Sequence, residues 1–68
     1  MENNTLGKNI RMLRTEKGLT QEQLGEMVSL TGDTISLWEL GKSKPDIDCL
    51  IKLAQFFDVT TDYLLGID

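Results

Sequence analysis

Apolar residues recur along this chain in short blocks at helical spacing, and a capping residue or a glycine bounds each block. Leu6, Ile10 and Leu13 fall at i, i+4 and i+7, which predicts a first helix capped by Thr5 and running to about Lys17. Gly18 ends it and Leu19 turns inward. Thr20-Gln21-Glu22-Gln23 has the form of a capping box, in which the Thr hydroxyl accepts from the Gln23 amide while the Gln23 side chain reaches back. Leu24, Met27 and Val28 then give the inward face of a helix over 21–28. Ser29-Leu30 interrupts the pattern. Thr31 caps a helix over 31–40, Ile35 and Trp38 share one face of it, and Gly41 supplies the left-handed residue that stops it. Pro45 disfavours helix at Lys44, so Lys42-Ser43-Lys44-Pro45 is a basic loop. Asp46 caps a helix over 47–57 with Leu50, Leu53, Ala54 and Phe57 inward. Asp58 stands where a glycine or asparagine would be more comfortable. Thr60 caps a last short helix through Leu65, and Gly66 closes it.

No stretch alternates with the period of a strand, and there is no internal repeat or linker. The expected fold is all-α: a compact domain of five helices over residues 6–66, a flexible tail over 1–5 and a short end at 67–68. Two helices as short as those over 21–40 cannot bury enough surface alone, so the flanking helices must supply the surface they pack on.

Composition narrows the chemistry. With 68 residues and 40% hydrophobic content there is material for one core. Folding a domain of this size buries roughly 60% of the unfolded chain's surface, so stability is modest. No apolar run approaches the ~20 residues of a membrane span, and no segment has the form of a signal peptide. The single cysteine, Cys49, excludes an intrachain disulfide, and the absence of histidine excludes a zinc-type cluster. A reducing, cytoplasmic setting fits. Cys49 reads as a small, part-buried filler. No histidine, no phosphate-cradling glycine loop and no room for a deep pocket argue against an enzyme, a metal site or a cofactor. The acidic pairs Asp46/Asp48 and Asp58/Asp62 read as caps and solvated faces.

The net charge of −4 argues at first sight against nucleic acid, but its distribution is uneven. Residues 6–45 carry six Lys and Arg against five Asp and Glu, whereas residues 46–68 carry Lys52 against five Asp. The chain is polarised, weakly basic in front and acidic behind.

Leu24-Gly25, Leu30-Thr31, Thr34-Ile35-Ser36, Trp38-Glu39, Gly41-Lys42, Lys44-Pro45 and Val59-Thr60 through Leu64-Leu65-Gly66 occur in an order and spacing that is specific as a set. Over about Leu6 to Gly66 the chain resembles the Cro/repressor-type helix-turn-helix family, also called xenobiotic-response-element-like. The resemblance implies a five-helix, lambda-repressor-like DNA-binding domain of a transcription regulator that works as a dimer on a palindromic operator, with repression by promoter occlusion. It makes 21–28 the positioning helix and 31–40 the recognition helix. At the matching positions Gly32, Asp33, Thr34 and Leu37 would face base edges, with Ser36 beside them and nearer the backbone. Gln21, at the capped N-terminus of the positioning helix, would reinforce a phosphate contact made by backbone N–H groups. Lys42, Ser43 and Lys44 would face phosphates after the recognition helix. Arg14 and Glu39 match positions that pair in the family, which would hold Arg14 near a phosphate. Ile35 and Trp38 match core positions.

Several residues keep two readings. Gln21 is also a plausible neutral residue at a helix start, and Lys42 and Lys44 also suit a solvated loop. Asp33 can accept from cytosine N4, or it can simply complement the helix dipole, worth ~0.3–1 kcal/mol. Leu37 and Leu40 are apolar where the family usually exposes polar or basic residues. Leu37 can pack on a thymine methyl, or both can form a patch for a protein partner, as an antitoxin-like or adaptor module on the same fold would need. Tyr63, Leu65 and Ile67 are candidates for a dimer surface, with Leu65 alternatively in the core. Gly25 replaces the family's usual alanine at up to ~1 kcal/mol in helix propensity, and Ser29 replaces the usual turn glycine. Together those two substitutions suggest a slightly loose motif.

Overall fold

A computed structural model describes residues 4–67. Five helices follow one another: α1 (Thr5–Glu16), α2 (Gln21–Met27), α3 (Gly32–Leu40), α4 (Ile47–Phe57) and α5 (Thr61–Leu65). Among the described residues there is no strand. α1 packs across α3 and α5, α2 lies against α3, and α4 meets α5.

Local chemistry sets the helix starts. Thr20, Thr31, Asp46 and Thr60 each accept, through a side-chain oxygen, the amide three residues on, and at Thr20 the full capping box forms. α1 departs from expectation. Its N-cap is Asn4, whose Oδ1 accepts the Gly7 amide at 3.2 Å, and Thr5 is its first helical residue. Asn is among the strongest N-cap residues, and here it outcompetes the threonine beside it. Of the tail expected over 1–5, Asn4 and Thr5 therefore belong to the folded helix, and residues 1–3 lie outside the described residues.

The helix ends share one device. A residue with positive φ follows each helix: Gly18, Ser29, Gly41, Asp58 and Gly66. In every case the next amide reaches back five residues, as in Leu30 to the Gly25 carbonyl at 2.6 Å and Val59 to the Ala54 carbonyl at 3.0 Å. These are Schellman closures, which satisfy carbonyls that a helix end would otherwise leave unpaired. Ser29 at φ 63° and Asp58 at φ 58° hold this conformation with a Cβ present, at some cost in strain.

The core draws on all five helices: Ile10, Leu24, Val28, Ile35, Trp38, Leu53, Ala54, Phe57 and Leu64. Leu6, Leu13 and Leu50 border it half-buried, so Ile10 alone of the α1 stripe is fully enclosed. Met27, expected inward, is 60% exposed. α2 has only seven residues, and Leu24 and Val28 already fill the narrow stripe it can bury. At α5 the buried leucine is Leu64, whereas Leu65 is turned out.

Two contacts distant in sequence fasten α1 to the rest. Asn4 Nδ2 donates to the Glu39 carbonyl at 2.9 Å, so the residue that caps α1 also closes the last turn of α3. Asn9 Nδ2 donates to the carbonyls of Tyr63 and Leu64 at 3.0 and 3.1 Å, taking up the Leu64 carbonyl at the end of α5 and sharing that of Tyr63 with the Gly66 amide.

Gly25 corrects the expectation of a loose motif. A Cβ there would stand 2.7 Å from the Thr31 backbone carbon and 2.9 Å from its carbonyl oxygen. The missing side chain is what lets α2 and the entry to α3 approach, so the motif is closely packed at this point.

Candidate nucleic-acid interface

α2 and α3 present their N-termini on one side of the molecule. Gln21, Glu22, Thr31, Gly32, Asp33 and Ser36 line a shallow cleft between them, which brings four of the predicted contact residues together. Gly32 sits against the start of α2, where a Cβ would stand 3.0 Å from Glu22 Cα. Its backbone, and not a side chain, is what it offers to a ligand.

Along α3 the exposed stripe is Asp33, Leu37 and Leu40, at i, i+4 and i+7. Leu37 is 42% exposed and Leu40 62%. Thr34 and Ser36 flank the stripe, half-buried. The Thr34 hydroxyl lies 3.1 Å from that of Thr31, within the cap, so it is partly engaged before any ligand arrives. Ile35 and Trp38 face inward and are buried, as the periodicity requires.

Glu39 anchors this surface from beneath. Its carboxylate accepts from Arg14 Nε at 2.7 Å, from Arg14 Nη2 at 3.1 Å and from Gln21 Nε2 at 3.0 Å. Arg14 Nη1 donates to the Leu19 carbonyl at 2.7 Å, which ties the α1–α2 turn to the same cluster. Four elements of the chain thus meet on one ion pair whose side chains are only 12% and 5% exposed. The Gln21 link joins the N-terminus of α2 to the last turn of α3, and nothing local in the sequence signals it.

Lys42 and Lys44 are exposed after α3, with Ser43 half-buried between them. Ser43 and Lys44 do not border the α2–α3 cleft. They border a separate cavity with Asn4, Leu6, Trp38, Gly41 and Leu65, at the other end of α3. The predicted contact residues thus form two groups, one at each end of the helix. Among residues missed in the sequence, Asn4 carries most weight, because it fixes the end of α3 from which the basic loop departs. Its local signal is an asparagine immediately before a helix start, where Thr5 competes for the same cap.

Tyr63, Leu65 and Ile67 are 38%, 39% and 71% exposed, and Leu65 borders the same cavity as Ser43 and Lys44. Cys49 is half-buried, and desolvation followed by its proximity to Asp46 raises its thiol pKa. Among the described residues no cluster of three or more His, Cys, Asp or Glu is placed to hold a metal ion, and no helix is long and apolar enough to cross a membrane.

A helix-turn-helix family model matches residues 10–64. The chain belongs to this family, the Cro/repressor-type helix-turn-helix domains of DNA-binding transcription regulators. Over 57 residues it is 46% identical to the HTH-type transcriptional activator BcrR of Enterococcus faecalis, covering 84% of this chain and 28% of that protein. It is 38% identical over 64 residues to the HTH-type transcriptional regulator ImmR of Bacillus subtilis, covering 94% of this chain and 50% of that protein. The chain therefore spans half or less of each of these two relatives. Its fold superposes on the P22 c2 repressor in complex with a synthetic operator, with a TM-score of 0.87, 33% identity, and 93% and 96% of the two chains covered.

Proposed function

We propose that this domain is a cytoplasmic, sequence-specific reader of double-stranded DNA that acts as a dimer on a palindromic operator and represses by occluding a promoter. The observation that carries the proposal is the exposed N-terminal half of α3, set beside the α2 N-terminus and held by the Arg14–Glu39–Gln21 cluster. A recognition helix is inserted in the major groove by such a pair, with its first residues at base edges. Gly32, Asp33, Thr34 and Leu37 occupy those positions. The α2 N-terminus, with Gln21, offers its N–H groups to a phosphate. Lys42, Ser43 and Lys44 take phosphates beyond α3, and Ser36 lies at the groove wall. Arg14 works mainly by aligning Glu39 and Gln21, since its own guanidinium is spent within the protein.

Two copies would place their α3 helices in successive major grooves ~34 Å apart. The exposed Tyr63, Leu65 and Ile67 are the surface assigned to pairing. Repression is supported by the likeness to the P22 c2 repressor in complex with a synthetic operator, while BcrR, a relative of higher identity, is named an activator.

Selection from a random duplex library at two salt concentrations tests the reading. Enrichment of a palindrome with half-sites about one turn apart is expected. With about four to six phosphates neutralised per dimer, log K should fall against log salt with a slope of roughly −4 to −5. The exposure of Leu40 favours a second reading, in which this face binds a protein. If Leu37→Lys with Leu40→Lys strengthens DNA binding and leaves protein contacts intact, that second reading fails.

A further inference from the structure

α3 contains no Arg, Lys, Asn or Gln: its nine residues are Gly-Asp-Thr-Ile-Ser-Leu-Trp-Glu-Leu. Those four residue types are the ones that grip purine edges bidentately, Arg and Lys on guanine O6/N7, Asn and Gln on adenine N6/N7. Glu39 is withdrawn into its ion pair and Trp38 into the core. What the first half of α3 holds out is one carboxylate, Asp33, followed four residues on by a large apolar side chain, Leu37; Leu40, also exposed, lies further on at the C-terminal end of the helix. The Thr34 hydroxyl is already engaged with Thr31.

Each of these groups has a counterpart on a pyrimidine. A carboxylate accepts only, so it suits an amino donor; in the major groove cytosine N4 presents one with no acceptor on its own base edge, whereas the amino group of adenine is flanked by the N7 acceptor and guanine shows only acceptors. A leucine makes no hydrogen bond, and the apolar feature of the major groove is the C5-methyl of thymine. Asp33 and Leu37 are separated by about 6 Å along the helix axis, on the order of two base-pair steps.

Resting on the DNA-reading role proposed above, we infer that α3 selects its half-site through pyrimidine edges, with Asp33 on a cytosine amino group and Leu37 on a C5-methyl. Operator affinity is then controlled by the substituent at pyrimidine C5. Replacing the contacted thymine by deoxyuridine removes one methyl, while 5-methylcytosine at that place restores the methyl on a different base. Chemical modification of the DNA at C5 becomes a signal that the protein senses directly, through a leucine.

The experiment uses the whole chain and the duplex enriched from the random library. Thymines are replaced singly by deoxyuridine, guanines singly by 7-deazaguanine, and the series is repeated with Leu37→Ala. One deoxyuridine position per half-site should weaken binding roughly fourfold, the worth of one buried methyl, and about 15-fold when both half-sites carry it. That penalty should vanish in Leu37→Ala, whose circular dichroism should match the parent. In the half-site bases that α3 covers, 7-deazaguanine should be neutral. Selective binding with no deoxyuridine penalty, or with a 7-deazaguanine penalty in those bases, overturns the inference but leaves the DNA-reading role standing. An absence of any sequence selectivity overturns both.

Discussion

Arg14 and Glu39 meet fork to fork across α1 and α3, with both oxygens of the carboxylate engaged by one guanidinium at 2.7 and 3.1 Å. The pair is almost enclosed, at 12% and 5% side-chain exposure. Deleting one member leaves the other charge without its partner in a poorly solvated place. Arg14→Ala should therefore destabilise the domain by about 2–4 kcal/mol, read as a lower urea midpoint. Replacing both residues by methionine should cost much less than the sum of the two alanine changes. If Arg14→Ala shifts stability by under about 0.5 kcal/mol, the pair behaves as an ordinary surface contact.

Gly25 and Ser29 run against what family usage suggests at both positions. Gly25→Ala gains up to ~1 kcal/mol in helix propensity, yet its Cβ meets backbone at 2.7 Å. Overpacking of this kind typically costs ~1–3 kcal/mol, so a net loss of stability is expected. Ser29→Gly relieves a left-handed backbone at φ 63° and should raise the melting temperature, by about 0.5–1 kcal/mol of stability. A thermal melt of each variant settles both signs. Stabilisation by Gly25→Ala would mean that α2 and α3 separate slightly at no cost.

Asp46 gives a signed pH prediction. Its carboxylate accepts the Cys49 amide at 2.8 Å, and that hydrogen bond, followed by its other contact with Cys49, lowers its pKa from the ordinary 3.8. A group depressed on folding stabilises the native state above its unfolded value and loses that contribution as pH falls through the folded one. The cap should therefore hold in full above the ordinary carboxylate value and weaken only below it. Asp46→Asn keeps a capping oxygen that does not titrate, so comparing the two proteins by acid titration should show a flatter profile for Asn.

Lys42 and Lys44 are exposed and without a role in the core. Lys42→Ala and Lys44→Ala should each leave folding unchanged, weaken all DNA sequences alike, and reduce the magnitude of the salt slope by about 1 for each bound copy of the domain. A variant that changes sequence preference instead would place its lysine among the base-reading groups.

How legible this domain was in its sequence depended on range. Caps at Thr20, Thr31, Asp46 and Thr60 could be read because donor and acceptor are three residues apart. The left-handed stops at Gly18, Gly41 and Gly66 were legible for the same reason. The clasps of Asn4 and Asn9 span 35 to 55 residues and leave no local trace. Short helices defeated the burial pattern: periodicity could not decide between Leu64 and Leu65 on five residues, or exclude Met27 on seven. Of the candidate site, the Arg14–Glu39 pair was legible through the family resemblance, whereas the third partner, Gln21, appears only once α2 and α3 are packed. The tight approach at Gly25 was hidden too, because a glycine in sequence looks the same whether it loosens a helix or admits a neighbour.

The double duty of Asn4 bears on how the domain opens. Its amide oxygen and nitrogen hold the Gly7 amide and the Glu39 carbonyl, so the first turn of α1 is tied to the end of α3. Fraying of the α1 start would therefore also strip the Glu39 carbonyl, at the end of α3, of its donor. Exchange of the Gly7 amide with solvent deuterium should consequently speed up in Asn4→Ser, which keeps a capping oxygen but loses the donor to Glu39, and slow down whenever DNA holds α3 in place, making one amide of α1 a reporter for occupancy of a groove read elsewhere.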